Sequence, residues 1–198
     1  MNIYSAIIKG AKILKDKSIL TANLDSEIIM ARVLNKDRKY ILLNSLQKIS
    51  DKDLIFYKKL ITKRSLRKPV AQLINKKFFW KSKFYVNNDV LIPRPETELI
   101  VENVLKLTKK KNKLHVLDIG IGSGCILLSI LKERKNFYGT GIDISKKCLN
   151  ISKINALSLK VRNKLKLFKS NVDKFLIGKY DLIVSNPPYI KKNKIKYL

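Results

Sequence analysis

Beyond Pro95 the sequence alternates between short apolar runs and longer amphipathic stretches, and this alternation limits the possible folds more than any other feature. The runs LHVLDIG, FYGTGID, KLKLFKS and YDLIVSN have the composition of buried strands. The stretches ETELIVENVLKL, CILLSILKER and KKCLNISKINALSL carry apolar residues at helical spacing. Strands separated by helices require crossover connections, which favour parallel pairing. We therefore predict an α/β fold with a doubly wound, mainly parallel sheet.

The first 75 residues have a different pattern, typical of several short helices. Ile3, Ile7, Ile8 and Leu14 follow helical spacing. Asp25 is expected to cap the helix SEIIMARVL, and Ser50 with Asp53 forms a variant of the capping box. This part contains no glycine-rich loop and no acidic cluster. We expect a small helical domain over residues 1–75 that carries no chemistry of its own.

A short aromatic segment separates this domain from the alternating pattern. Pro69 is expected to end the last helix, and KKFFWKSKFYV then shows the partial alternation of a hairpin. We therefore predict a hairpin linker over residues 76–94 and a second, larger domain over residues 95–198.

The net charge of +28 is the most unusual feature of the composition. It indicates either a selected surface for a polyanion or the compositional drift of an AT-rich genome. The basic residues are mostly lysine and occur in every segment, which favours drift, so we expect no specific nucleic-acid partner. No apolar run reaches the roughly 18 residues of a membrane span, and the N-terminus has no signal-peptide pattern. We expect a cytoplasmic protein that does not enter the membrane.

The few cysteine and histidine residues indicate no metal site. Cys125, Cys148 and His115 lack the spacing of metal ligands. We expect both cysteines to be small buried apolar residues and the histidine to be structural.

A glycine-rich loop lies between the first strand and the following helix. VLDIGIGSG places Gly120, Gly122 and Gly124 where glycine lets a ligand approach the backbone at the start of a helix. Asp143 ends the next strand, where a carboxylate can accept hydrogen bonds from ribose hydroxyls. The loop therefore predicts a site for a dinucleotide or for another adenosine cofactor, without deciding between them.

The segment DLIVSNPPYI raises a second question, because its two consecutive prolines cannot continue a strand or a helix. In a doubly wound sheet, ligands bind beyond the carboxyl ends of the strands, where Asn186 falls. The side-chain carbonyl of Asn186 and the main-chain carbonyl of Pro187 could accept both hydrogens of a planar NH2 group, and Tyr189 could stack on that plane. These residues predict a site for an amide or an exocyclic amine.

Two sets of motifs resemble known enzymes. NPPY, DIGIGSG and Asp143 resemble the class I S-adenosylmethionine-dependent methyltransferases that modify planar nitrogens in adenine, cytosine or protein glutamine. Within that group, PVAQL, FW and LIPRPETE in residues 68–102 resemble the release factor glutamine methyltransferases, also called protein-(glutamine-N5) methyltransferases. The resemblance implies the class I fold, S-adenosylmethionine as cofactor, no metal, and a monomer. The implied substrate is the glutamine of the Gly-Gly-Gln motif in bacterial class 1 peptide chain release factors.

The resemblance also implies a role for each matching residue. The loop would hold the methionine part of the cofactor, Asp143 the ribose, and Asn186 would lie beside both cofactor and substrate. Asn186, Pro187 and Tyr189 would be catalytic and, with Pro188, would bind the glutamine. The implied loop residues are Gly120, Ile121, Gly122, Ser123 and Gly124.

One part of the cofactor site departs from the family pattern. Asn171 and Val172 stand where the family has an acidic residue followed by an aromatic one. Asp173 could replace the acidic residue after a shift by two positions. We expect Asn171 and Val172 to contact the adenine and the cofactor to bind less tightly.

Three further expectations follow from the resemblance. The helical domain would dock the release factor, and Arg94 in IPRPETE would form either a surface ion pair or a substrate contact. The chain has four strands where the family fold has three more, so we expect a truncated protein with weak or no activity alone. Two alternatives stay open, an adenine-specific DNA N6-methyltransferase and a non-catalytic binding module.

Overall fold

A computed structural model of the protein describes residues 1–187, and the chain divides after Asn75 into two compact units. The first unit is helical, with its own apolar core. Its helices are α1 (Ile3–Lys15), α2 (Ala22–Val33), α3 (Arg38–Leu43), α4 (Asp51–Ser65) and α5 (Val70–Leu73). Helix α1 packs against α2 and α4, and the most deeply buried side chains include Ile3, Leu14, Ile29, Met30 and Ile61.

Two predictions about helix caps can be compared with the first residues of the helices in this unit. Ser50 precedes α4, accepts a hydrogen bond from the backbone N–H of Asp53 at 3.1 Å and donates its hydroxyl to the Asp53 carboxylate at 2.7 Å, so the capping box is confirmed. The prediction for Asp25 is wrong, because α2 begins three residues earlier at Ala22. Asp25 is instead buried and forms a 2.7 Å ion pair with Arg64 of α4.

The predicted hairpin is present as β1 (Lys77–Phe79) paired antiparallel with β2 (Ser82–Phe84). Phe79 and Phe84 are both buried and meet edge to face. The prediction that Pro69 ends the last helix is wrong. Helix α4 already ends at Ser65, and Pro69 precedes the short helix α5, where its fixed φ suits the residue before the first helical turn.

The second unit contains a parallel α/β sheet, which confirms the predicted fold class. Its elements after the hairpin are a 3₁₀ turn (Pro95–Thr97), α6 (Glu98–Leu107), β3 (His115–Ile119), α7 (Cys125–Glu133), β4 (Tyr138–Asp143), α8 (Lys146–Ser158), β5 (Leu165–Lys169) and β6 (Leu182–Ser185). Two more 3₁₀ turns cover Arg162–Lys164 and Val172–Lys174. Within the described residues the sheet has four strands in the order β5-β4-β3-β6, all parallel.

The strand order reverses beside β3. The chain adds β4 and β5 on one side of β3 and then returns to add β6 on the other side. Ile119 at the end of β3 is in register with Ile142 of β4 and with Ser185 of β6, so all three strands end at the same edge. This edge is the place where ligands bind in open α/β sheets.

Helices cover one face of the sheet. Helix α7 packs on β3 and β4, α8 packs on β4 and β5, and α6 lies against α7. Leu182 and Val184 of β6 belong to the apolar core beneath this layer, whereas Ile183 between them is 59% exposed. No helix in the described part of the chain is long and apolar enough to span a bilayer.

Candidate active site at the carboxyl edge of the sheet

A cavity of about 460 Å³ opens at the carboxyl ends of β3, β4 and β6. Its volume lies in the range typical of small-molecule sites. Most of the residues predicted from the sequence line it, namely Gly120, Ile121, Gly122, Ser123, Asp143, Asn171, Val172, Asn186 and Pro187. Gly124 is not among the lining residues, and Pro188 and Tyr189 lie outside the described residues.

The glycines of the loop differ in what surrounds them. Gly120 and Gly124 both have positive φ, 73° and 79°. A Cβ atom on Gly120 would have no heavy atom within 4 Å, whereas one on Gly124 would lie 2.8 Å from the Leu128 side chain. The backbone at Gly120 is therefore accessible to a ligand. At Gly124 the missing side chain lets the loop pack closely against Leu128 of α7.

Two side chains of α8 form hydrogen bonds to backbone carbonyls of the glycine loop. The Ser152 hydroxyl donates to the Gly122 carbonyl at 2.7 Å, and the Asn155 amide donates to the Ser123 carbonyl at 2.8 Å. Asn155 is 1% exposed. Neither residue was predicted from the sequence; the signal for them was a polar side chain on the apolar side of the helix KKCLNISKINALSL.

Asp143 lies at the end of β4 and contacts the loop directly. One carboxylate oxygen accepts the backbone N–H of Gly122 at 3.0 Å, and the other accepts that of Ser145 at 2.8 Å. A carboxylate has about four lone-pair sites, so acceptor capacity remains for a ligand hydroxyl.

Asp118, two residues before Gly120, is the second carboxyl group near the loop and was also missed. It is 1% exposed, and Oδ2 has no hydrogen-bond partner among the described residues. Burial raises the pKa of Asp118 to about 7, the backbone N–H of Leu127 partly opposes that shift, and the charge of Asp143 adds to it. A charged residue inside the apolar run LHVLDIG was the signal that could have revealed it.

The turn after β5 supplies part of the cavity wall. Asn171 and Val172 are exposed and line the cavity. Asp173 is also exposed but is not part of the wall. The geometry therefore gives no support to the idea that Asp173 replaces the acidic residue of the family pattern.

Asn186 directly follows β6 and is half-buried. Its side-chain nitrogen donates to the Thr97 hydroxyl oxygen at 3.2 Å. The strand below is tied to β3 by the Ser185 hydroxyl, which donates to the Ile119 carbonyl at 3.0 Å. The end of β6 is therefore joined both to β3 and to the 3₁₀ turn that precedes α6.

A second cavity of about 550 Å³ adjoins the first. Asn186 and Pro187 line both cavities, as do Leu91, Arg94 and Thr97, and Glu96 and Ile100 line only the second. Arg94 is exposed and forms no ion pair with another described residue. Asn186 and Pro187 therefore stand at the boundary between two spaces, each of which is large enough for a small molecule.

Cys125 and Cys148 also line the first cavity, and both are half-buried. The prediction that they are small buried apolar residues is therefore met only in part, because both are partly accessible. Burial raises the pKa of Cys125 to about 12 and also raises the pKa of Cys148. A thiol with a raised pKa is a weak nucleophile at neutral pH. Within residues 1–187 no group of three or more histidine, cysteine or acidic residues is arranged to hold a metal ion.

Comparison with known proteins identifies relatives over both units. Residues 95–198 match the family model of the methyltransferase small domain, and residues 5–74 match that of the PrmC N-terminal domain. The release factor glutamine methyltransferase of Buchnera aphidicola subsp. Baizongia pistaciae is 38% identical over 192 residues, 96% of this chain and 68% of the relative. That of Leptospira interrogans is 39% identical over 194 residues, with the same two coverages. A ribosomal protein L11 methylase from Lactobacillus delbrueckii subsp. bulgaricus has a TM-score of 0.44 and 24% identity, over 52% of this chain and 51% of that one.

Proposed function

The chain belongs to the release factor glutamine methyltransferase family, and we propose on that premise that it transfers a methyl group from S-adenosylmethionine to a release-factor glutamine. The acceptor is the side-chain amide nitrogen of that glutamine. The observation that carries the proposal is the position of Asn186 and Pro187 on the boundary between two cavities. One cavity would take the cofactor, and the other would admit the substrate side chain.

The residues of the first cavity fit S-adenosylmethionine. The bare backbone at Gly120 leaves room for the methionine part, and a carboxylate with spare acceptor capacity stands at Asp143 for the ribose hydroxyls. Asn171 and Val172 line the same cavity and are proposed to contact the adenine. The apolar side chains of Ile121 and Ile142 in the wall suit the remaining surface of such a ligand.

The second cavity fits the substrate side of the reaction. Leu91 and Ile100 give it an apolar surface for the methylene groups of a glutamine side chain, while Arg94 and Glu96 supply charged groups. Arg94 lines both cavities without an ion pair to a described residue, which favours the substrate contact over the surface ion pair. We propose that the polypeptide substrate approaches from this side.

Asn186 and Pro187 would activate the acceptor. An amide nitrogen is a poor nucleophile because its lone pair is delocalised into the carbonyl group. If the carbonyl oxygens of Asn186 and Pro187 accept both N–H hydrogens, they raise the electron density on nitrogen and turn its face towards the methyl donor. The same dipoles stabilise the positive charge that develops on nitrogen, which then loses a proton to water. When bound, the cofactor supplies a sulfonium methyl group, and the broken C–S bond leaves its electron pair on sulfur.

The helical unit would provide affinity for the protein substrate. It has its own core, it matches the PrmC N-terminal domain over residues 5–74, and it contains no cavity residue described above. Several large apolar side chains on its surface are exposed, among them Leu20, Leu43, Leu46 and Ile55. We propose that this unit docks the release factor, while the glutamine of the Gly-Gly-Gln motif enters the second unit.

A transfer assay with isotopically labelled S-adenosylmethionine tests the proposal. Three acceptors are offered in parallel: a class 1 release factor, the same factor with its Gly-Gly-Gln glutamine replaced by alanine, and duplex DNA rich in adenine. We expect label only in the unaltered release factor. Label in DNA would support the adenine-specific alternative, equal label in both release factors would refute the choice of residue, and no label in any acceptor would refute activity of this chain.

A further inference from the structure

We propose that Thr97 is a positioning residue, whose hydroxyl oxygen holds the amide nitrogen of Asn186 and so turns the amide oxygen of Asn186 towards the acceptor. The inference deepens the proposed function and rests on it, because it assumes that Asn186 accepts a hydrogen bond from the substrate. It starts from one contact, the 3.2 Å hydrogen bond from Asn186 Nδ2 to Thr97 Oγ1, which joins residues 89 positions apart.

The contact matters because an asparagine side chain has two ends of nearly equal shape and opposite chemistry. One end is a carbonyl acceptor and the other carries two N–H donors. Rotation of the amide by half a turn exchanges them at almost no steric cost. Only one orientation presents an acceptor to the N–H of a substrate amide. In that orientation the nitrogen end of Asn186 needs an acceptor of its own, and the Thr97 hydroxyl oxygen supplies it.

Thr97 is suited to hold that end because it is itself fixed. Its side chain is 8% exposed, and its backbone N–H donates to the Arg94 carbonyl at 3.1 Å within the 3₁₀ turn. The branched Cβ restricts the threonine rotamer further. Among residues 1–187 no side chain or backbone group donates to the Asn186 amide oxygen, so that oxygen keeps its acceptor capacity. Thr97 and Asn186 also line both cavities together.

The arrangement has a consequence for specificity. An oxygen presented by Asn186 attracts the N–H2 group of a glutamine and repels the carboxylate of a glutamate. Loss of the Thr97 hydroxyl should therefore lower the rate with glutamine, because the nitrogen end of Asn186 then lacks its acceptor in the orientation that the substrate requires.

Nuclear magnetic resonance of the protein labelled with ¹⁵N-asparagine tests the contact itself, independently of activity. The Asn186 side-chain signals are assigned from their loss in an Asn186→Ser variant. We expect these signals to show slow exchange and a small temperature dependence, to move towards free-amide values in Thr97→Val, and to stay in place in Thr97→Ser. Free-amide behaviour in the unaltered protein overturns the proposal even if the Thr97→Val variant does not fold.

Thr108→Val is the matched control. Thr108 lies at the other end of α6, is 5% exposed, and donates its hydroxyl to the Val104 carbonyl at 2.7 Å, away from both cavities. Like Thr97→Val, the Thr108→Val substitution removes one buried threonine hydroxyl. It should leave the Asn186 signals unchanged. If both variants move those signals equally, the effect is general destabilisation and the proposal is wrong.

Steady-state kinetics then separate positioning from cofactor binding. For Thr97→Val we expect kcat for release-factor methylation to fall by about 10-fold or more while KM for S-adenosylmethionine stays nearly constant, with Thr97→Ser restoring most of the rate. A rise in KM for the cofactor at constant kcat would contradict the assigned role. If the unaltered chain neither binds S-adenosylmethionine nor methylates release factor, the proposed function fails, whereas the resonance experiment still reports on the Thr97 contact.

Discussion

Asn155 and Tyr85 exchange two hydrogen bonds although 70 positions separate them. The backbone N–H of Tyr85 donates to Asn155 Oδ1 at 2.7 Å, and Asn155 Nδ2 donates to the Tyr85 carbonyl at 3.0 Å. The same nitrogen also donates to the Ser123 carbonyl at 2.8 Å. One buried amide on α8 thus links the segment after the hairpin to the glycine loop.

Replacement of Asn155 should therefore be costly. Asn155→Ala leaves three backbone groups without these partners. The bond to Ser123 is buried and the two bonds to Tyr85 are partly buried, and an unsatisfied buried group costs about 1–3 kcal/mol. We expect a large drop in the melting temperature, measured by circular dichroism. Asn150→Ala, at an exposed position of the same helix, should change stability by less than about 0.5 kcal/mol. Equal melting temperatures for the two variants would contradict the structural role of Asn155.

Asp118 should make stability depend on pH. Its pKa of about 7 lies above the ordinary value of 3.8, so the folded state binds more protons than the unfolded state between about pH 4 and pH 7. The contribution of this group to the free energy of unfolding therefore falls as pH rises through that window. We expect Asp118→Asn to be more stable than the unaltered protein at pH 8, by a few kcal/mol at most, and nearly equal at pH 4.

Urea unfolding at a series of pH values measures this difference. Asp173→Asn, at an exposed position, controls for the change in net charge. A constant difference in stability between Asp118→Asn and the unaltered protein from pH 4 to pH 8 would show that burial does not raise the pKa of Asp118.

Alanine at Gly120 and at Gly124 should have different effects. Both positions have positive φ, so each substitution costs a similar backbone strain of about 1 kcal/mol. Gly124→Ala adds a clash with Leu128 and should mainly lower the melting temperature. Gly120→Ala places its methyl in open space and should mainly weaken S-adenosylmethionine binding in calorimetric titration. If Gly124→Ala weakened cofactor binding and Gly120→Ala lowered only the melting temperature, the assignment of Gly120 to the cofactor site would be wrong.

Asp143→Ala should weaken cofactor binding by about 10-fold or more, because it removes a charged acceptor and the support of the Gly122 N–H. Asp143→Asn keeps one acceptor oxygen, so its affinity for S-adenosylmethionine should fall by less than that of Asp143→Ala. Titration calorimetry with S-adenosylmethionine gives both affinities, and NADH is the control ligand. Binding of NADH without binding of S-adenosylmethionine would refute the cofactor assignment.

Asn186→Ala should reduce methyl transfer by about 10²-fold or more while most of the cofactor affinity remains. The variant loses the side-chain acceptor for the substrate amide but leaves the glycine loop and Asp143 intact. Asn163→Ala, at an exposed position outside both cavities, is the control and should keep its activity. Turnover by Asn186→Ala close to that of the control would contradict the catalytic role of Asn186.

The order and type of the main elements of the second unit could be predicted from the sequence. Strands β3 to β6 and helices α6 to α8 all fall within the runs that periodicity identified, and the glycine loop and Asp143 meet at one cavity as expected. This worked because periodicity and turn chemistry are local, and because the carboxyl ends of parallel strands share one edge. The motifs in residues 68–102 predicted membership of the release factor glutamine methyltransferase family, and the similarity to members of that family confirmed it.

The contacts between residues far apart in the chain became known only from the folded structure. Asp25 pairs with Arg64 instead of capping a helix, Val184 is covered while Ile183 is exposed, and Thr97 meets Asn186 across 89 positions. Local pattern shows that a polar residue needs a partner or that a strand has two faces. The identity of the partner and of the covered face depends on how loops close and on which strands pair, and those contacts form only when the whole unit packs.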